Sequence, residues 1–112
     1  EVVLGSATPS LGSCSGTINE VIVPINIDHP YETDVELDLT SPAGTTVELE
    51  QGNGAFDPFP NGTYGLDLTS AQNLSKFNGE NPSGTWSIEA RDVFNGFGSG
   101  TLNSWGVAVS CQ

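Results

Sequence analysis

Apolar residues recur at every second position along most of this chain. In 17–28, Val21, Val23, Ile25 and Ile27 share one parity, the period of a strand with one buried face. Pro24 falls on the other parity and has no N–H to give a ladder, which predicts an edge strand or a bulge there. In 34–40 the same rule turns Val35, Leu37 and Leu39 inward and Glu36, Asp38 and Thr40 outward. Ser41-Pro42-Ala43-Gly44 has turn chemistry, and Thr45–Glu50 follows with Val47 and Leu49 inward. These two segments form a hairpin. Keeping buried residues opposite each other requires Leu39 to face Val47 and Leu37 to face Leu49. That register also sets Asp38 against Glu48 and Glu36 against Glu50, like charges that solvent and salt must screen or a cation must bridge; screening is the expectation.

Further along, 51–63 reads as a long loop rich in Gly, Asn and Pro that also carries Phe56 and Phe59. A short strand is expected around Tyr64–Leu68 and one helical turn within Ser70–Ser75. Gly84–Asp92 alternates again, with Trp86, Ile88 and Ala90 inward; Asn95-Gly96-Phe97-Gly98 is a turn; and Ser104–Ser110 turns Trp105, Val107 and Val109 inward. No segment sustains a 3.6-residue apolar period. The pattern is that of an all-β sandwich or jelly roll with mostly antiparallel strands, and 112 residues make residues 1–112 one domain.

Charge narrows the functional classes. Fourteen carboxylates stand against only Lys76 and Arg91, a formal net charge of −12. Nucleic-acid binding needs the opposite sign, and an anionic membrane surface would repel this chain. A solvated acidic surface suited to salty surroundings is the reading preferred over a basic partner or divalent cations. Cys14 and Cys111 lie near opposite ends. A disulfide between them, in an oxidising compartment, is preferred to two buried free thiols. There is neither a leader-like apolar stretch nor a run long enough to span a bilayer. The expectation is a secreted domain cut from a larger polypeptide.

Catalytic chemistry is hard to assemble. His29, the only histidine, precedes Pro30 at a strand end and reads as an extended turn residue rather than a general base. No phosphate loop or HExxH motif is present, and a sandwich of this size leaves little room for a carboxylate-lined cleft. No cofactor is required. Calcium is the one to weigh: Asp28, Asp34 and Asp92 sit at predicted strand ends where loops converge, although capping turns is the simpler use of each.

Two stretches carry a family resemblance. Ile27-Asp28-His29-Pro30-Tyr31-Glu32-Thr33-Asp34-Val35-Glu36-Leu37 runs on through Ser41-Pro42-Ala43-Gly44-Thr45. Phe77-Asn78-Gly79 then leads to Gly84-Thr85-Trp86, Arg91-Asp92 and Gly100-Thr101-Leu102-Asn103-Ser104-Trp105. In this order, over about residues 17 to 110, they resemble the P domain (homo B domain) of proprotein convertases and of secreted bacterial proteases. The resemblance implies a jelly-roll, galactose-binding-domain-like sandwich lying C-terminal to a protease catalytic domain. It also implies framework roles for His29, Tyr31, Asp34, Gly84, Trp86, Gly100, Leu102 and Trp105. The departures are Glu32-Thr33-Asp34 where some convertases have Arg-Gly-Asp, Val35 in place of leucine, and Pro30 in place of a small polar residue. The scarcity of Lys and Arg points to a bacterial source.

The functional expectation is a non-catalytic accessory domain, monomeric when isolated. It would stabilise or help to fold the catalytic domain of its own polypeptide, a secreted serine endopeptidase. Phe56, Phe59, Phe94 and Phe97 are candidate docking residues in loops, although they could equally close the ends of the sandwich. The alternative is a substrate-binding or adhesion module for insoluble protein or carbohydrate, which burial of both tryptophans by parity disfavours.

Overall fold

A computed structural model describes residues 2–7, 16–29, 35–52, 59, 61–92 and 100–111, with residues 2–7 and 92 described by their backbone alone. Its strands are β1 (Val2–Ala7), β2 (Ile18–Asp28), β3 (Val35–Thr40), β4 (Thr46–Gln51), β5 (Gly62–Tyr64), β6 (Ser87–Asp92), β7 (Thr101–Trp105) and β8 (Ala108–Cys111). Two sheets result. One has the order β1-β6-β3-β4; in the other, β2 has β5 on one side and β7 and β8 on the other. Every pairing between these strands is antiparallel.

Alternation decides which side of each strand is buried. Val21, Val23, Ile25 and Ile27 from β2, Val35, Leu37 and Leu39 from β3, Val47 and Leu49 from β4, and Ile88 and Ala90 from β6 form one core. Trp86, just before β6, is fully buried and meets Phe77 edge to face, with centroids 5.1 Å apart and planes at 73°. Ring quadrupoles favour that arrangement. Phe77 comes from a 3₁₀ turn, Leu74–Phe77, whose Asn73 cap accepts the Ser75 N–H at 2.9 Å. The turn expected at Ser70–Ser75 therefore sits slightly later, where a capping side chain and two core residues coincide.

Four expectations change. β1 was not anticipated, because Val2-Val3-Leu4-Gly5 does not alternate; a bulge between Val3 and Gly5 lets it pair with β6 all the same. β2 is central rather than at an edge. Pro24 instead interrupts its neighbour: the Pro24 carbonyl accepts from the Gly106 N–H at 3.1 Å. A strand residue points its N and its carbonyl to the same side, so the missing N–H faces the gap at Gly106-Val107 that divides β7 from β8. The hairpin keeps Leu39 opposite Val47 and Asp38 opposite Glu48. A bulge between Leu37 and Asp38 then moves Leu37 opposite Glu50 and Glu36 opposite Gln51, and Leu49 stays buried. Finally, the strand expected at Tyr64–Leu68 ends at Tyr64. Beyond it the Thr63 carbonyl accepts the N–H groups of Leu66, Asp67 and Leu68 at 3.1–3.2 Å, making a tight loop.

The outer side of β4 is covered by the segment before the 3₁₀ turn. Ala71 N–H donates to the Leu49 carbonyl at 3.0 Å, and Gln72 N–H to the Glu48 carbonyl at 2.8 Å. The Gln72 side chain accepts the Glu48 N–H at 3.0 Å, standing in for a strand backbone. This edge is thereby closed to other chains.

Candidate functional site

The outer face of the first sheet gathers charge. β3 lies between β4 and β6, so its outward residues meet outward residues on both sides: Glu36 is opposite Arg91, and Asp38 lies between Glu48 and Glu89. The carboxylates are not left to solvent screening. One guanidinium serves three of them: Arg91 Nη2 donates to Glu36 and to Asp38 Oδ2 at 2.6 Å, and Nη1 to Glu89 Oε1 at 2.7 Å. Burial pushes the Asp38 carboxyl above the usual aspartate range, outweighing the lowering by Arg91, and the charges of Glu36, Glu48 and Glu89 push the same way. The β6 alternation that places Ile88 and Ala90 inward also places Arg91 outward. Its partners depend on β6 lying beside β3, which the strand pattern alone does not give.

The calcium candidates are not brought together among the described residues. Asp28 ends β2, exposed and opposite Thr101. Asp92 ends β6 opposite Val35, its side chain lies outside the description, and Asp34 lies outside the described residues. The carboxylates that do converge are those of Glu36, Asp38 and Glu48, with oxygens within 4.8 Å of one another. Arg91 already meets two of the three.

The motif residues that are described hold turns against each other. Gly84 adopts φ +123°, and a Cβ there would lie 2.8 Å from Pro42 Cβ. The Ser41–Thr45 turn is thus packed directly beneath the approach to Trp86, whose indole N–H donates to the Pro82 carbonyl at 3.2 Å. Glu80, which the motif reading overlooked, clamps the same turn, its carboxylate accepting from Ser41 Oγ at 2.7 Å and Thr45 Oγ1 at 2.5 Å. Its signal was a lone acid shortly before the Gly-x-Trp segment, too common to single out. A Cβ at Gly100 would lie 2.6 Å from the ring of the buried His29, so the first and third motifs are packed together. Leu102 and Trp105 are half-buried against the core. Tyr31 lies outside the described residues.

Among the docking candidates, Phe59 is only 5% exposed and belongs to the core, with its N–H donating to the His29 carbonyl at 3.0 Å. It closes the sandwich and offers nothing to a neighbour. Phe56, Phe94 and Phe97 lie outside the described residues. Leu66, 71% exposed on the loop after β5, is the large apolar side chain that sequence reasoning passed over. It borders a groove of about 680 Å³ lined by polar groups that include Asn19, Glu20, Asn73 and Asn78. Cys111 ends β8 opposite Ile18 and is not a free thiol; Cys14 lies outside the described residues.

A family model described as the proprotein convertase P-domain matches residues 18–109. A transglutaminase-activating metalloprotease of Streptomyces mobaraensis is 33% identical over 85 residues, which are 74% of this chain and 10% of that protein. An extracellular serine protease of Aeromonas sobria is 37% identical over 89 residues, 71% of this chain and 14% of that protein. The crystal structure of the Aeromonas sobria serine protease with its chaperone superposes on 96% of this chain with a TM-score of 0.68 at 23% identity, over 24% of its own length. The chain therefore spans only a small part of the relatives it matches.

Proposed function

This chain belongs to the proprotein convertase P-domain family, and on that premise we propose that it is the non-catalytic accessory domain of a secreted endopeptidase. It stabilises, or helps to fold, the catalytic domain of the same polypeptide. The observation that carries this reading is one of extent: the fold accounts for nearly the whole chain yet for only about a quarter of the serine protease it superposes on. Both the serine and the metalloprotease relative contain such a module. A serine-type catalytic domain is favoured because the serine protease is the relative with the higher identity and also shares the fold.

The physics of the role is surface coverage. An inter-domain face within a chain buries on the order of 600–1,500 Å² and stabilises both partners by removing apolar surface from water. Leu66 is suited to such a contact, since the loop that holds it is fixed by the Thr63 carbonyl before any partner arrives. The experiment compares the polypeptide carrying this domain with the same polypeptide lacking residues 18–109, by peptidase activity and by thermal inactivation. The shortened form should be made in lower yield and lose activity several degrees earlier. Equal yield, activity and inactivation temperature would refute the accessory role.

A further inference from the structure

β2 is apolar on both of its faces at mid-strand, and only one of them has a sheet packed against it. Val21-Ile22-Val23-Pro24-Ile25 is an unbroken apolar run. Val21, Val23 and Ile25 enter the core, so alternation turns Ile22 and Pro24 to the outer face. Opposed residues share a face, which sets Ala108 beside Ile22, Thr63 beside Pro24 and Ser104 beside Asn26. Ile22 is half-buried, whereas Pro24, Asn26, Ser104 and Ala108 are exposed. A strand with one wet face carries polar residues on it, and an apolar run on both faces is what a strand covered twice requires. The described residues supply one of the two covers. The loop after β5 extends the apolar ground: a Cβ on Gly65 would lie 3.0 Å from Ile22 Cγ2. That loop therefore rests against Ile22, and its next residue, the exposed Leu66, adjoins the same face.

Charge separates the two outer faces. Along β2 it is confined to Glu20 and Asp28, near the two ends, and residues 93–112, which include β7 and β8, hold no charged side chain. A domain laid over the first sheet must strip water from Glu36, Asp38, Glu48 and Glu89, whereas over the middle of the second it covers neutral groups. Patch size then selects the occupant. Ile22, Pro24, Ala108 and Leu66 with their neutral rim amount to an area on the order of a few hundred Å². A partner arriving from solution, a second copy of this chain included, needs about 800 Å² on each side to stay bound. A domain joined to this one through the backbone meets it at about millimolar effective concentration, and so holds with less.

We propose that the outer face of the second sheet, from Leu66 across Ile22 and Pro24 to Ala108, is where this module docks on the catalytic domain of its own polypeptide, a step that rests on the accessory reading. Maleimide labelling of the intact polypeptide with one added cysteine tests it. Ser104→Cys reports the second-sheet face and Thr46→Cys the outer face of the first, and both positions are exposed within the domain. Each rate is taken relative to the same variant unfolded in urea. Ser104→Cys should react about tenfold or more slowly than Thr46→Cys, the protection of a face covered about nine-tenths of the time, and the protection should not depend on protein concentration. Adding Ala108→Glu, an exposed change that leaves the core alone, should bring the two rates to within about threefold of each other. Equal rates at the outset overturn the proposal. So does protection that fades on dilution, the mark of a second copy, or protection that Ala108→Glu leaves in place. Equal rates in a polypeptide that still loses stability without residues 18–109 sink this face and spare the accessory reading. A protected Ser104→Cys in a polypeptide indifferent to that deletion does the reverse.

Discussion

Replacing Arg91 by methionine takes the guanidinium out of the cluster on the first sheet while keeping most of the side chain's apolar stem. Arg91, Glu36 and Asp38 have side chains only 20–25% exposed, whereas Glu89 is 48% exposed. Exposed pairs are worth up to about 1 kcal/mol, and removing one partner of a buried pair costs about 3–5 kcal/mol. A cluster about four-fifths buried falls between these limits, so the variant should lose about 2–3 kcal/mol at pH 7, with Glu89 contributing least. For a domain of this size that lowers Tm by about 10 °C or more. The pH dependence is the sharper readout. The Asp38 carboxyl is raised in the folded state, so the native protein binds more protons than the unfolded chain in the window between the two pKa values. Stability therefore falls as pH rises through that window and is recovered on acidification. Without Arg91 the only lowering influence on Asp38 disappears, the folded pKa moves further up, and the window widens towards neutrality. Urea unfolding of both proteins from pH 7 down to about 4.5 should show the gap between them closing; added salt at pH 7 should close it in part. A loss under about 0.5 kcal/mol at pH 7, or a gap that holds or grows on acidification, would show that the guanidinium does not govern this face.

Three further outcomes bear on the framework. Gly84→Ala should cost about 2–4 kcal/mol, because it combines a left-handed φ with a contact of 2.8 Å to Pro42. Gly44→Ala, at φ +94° with open space around it, should cost only about 1 kcal/mol; equal losses in thermal unfolding would refute the packing account. Glu80→Ala leaves the buried Ser41 hydroxyl and Thr45 without their acceptor and should cost about 2 kcal/mol, with Glu80→Gln losing less because it keeps an acceptor oxygen; chemical denaturation separates the two. We expect Cys14 and Cys111 to be bridged, so replacing both with serine should lower stability by up to about 4–5 kcal/mol. Two titratable thiols in the native protein would exclude the bridge.

Period-two alternation was enough to read the strand residues at the centre of the core, but not Ile18, Phe59, Tyr64, Leu74 and Phe77, which complete it. It placed Val21, Val23, Ile25, Ile27, Val35, Leu37, Leu39, Val47, Leu49, Trp86, Ile88 and Ala90 inward, and all are buried. It failed where the chain breaks its own period. The Leu37/Asp38 bulge inserts a residue without changing which side chains are apolar, so the registers on either side of it look alike in the sequence. β1 has too few alternating residues to be visible, and its strand character comes from β6 alongside it. Parity also overstated the burial of Trp105. Ile25, its partner in the register, is buried because β2 has strands on both sides, whereas β7 is the last strand of its sheet and its tryptophan is covered on one side only. Burial follows from parity and neighbours together, and the sequence supplies only the first. The Arg91 cluster shows the same limit: each charge was visible, and the strand order that assembles them was not.

That strand order also divides the labour between the two outer faces. On the first sheet, covering Glu36, Asp38, Glu48 and Glu89 would strip water from four carboxylates, three of which share one guanidinium. Only a basic partner could offset that cost. The outer face of the second sheet at Pro24, Asn26 and Ser104 asks for nothing comparable. Its polar groups are neutral, several are already oriented by bonds within the domain, and a ligand there gives up far less hydration. A net charge of −12 keeps the module soluble by making most of its surface unattractive to other surfaces. Selective contact is then left to surfaces with little charge, such as the outer face at Pro24, Asn26 and Ser104, and to the exposed apolar side chain of Leu66.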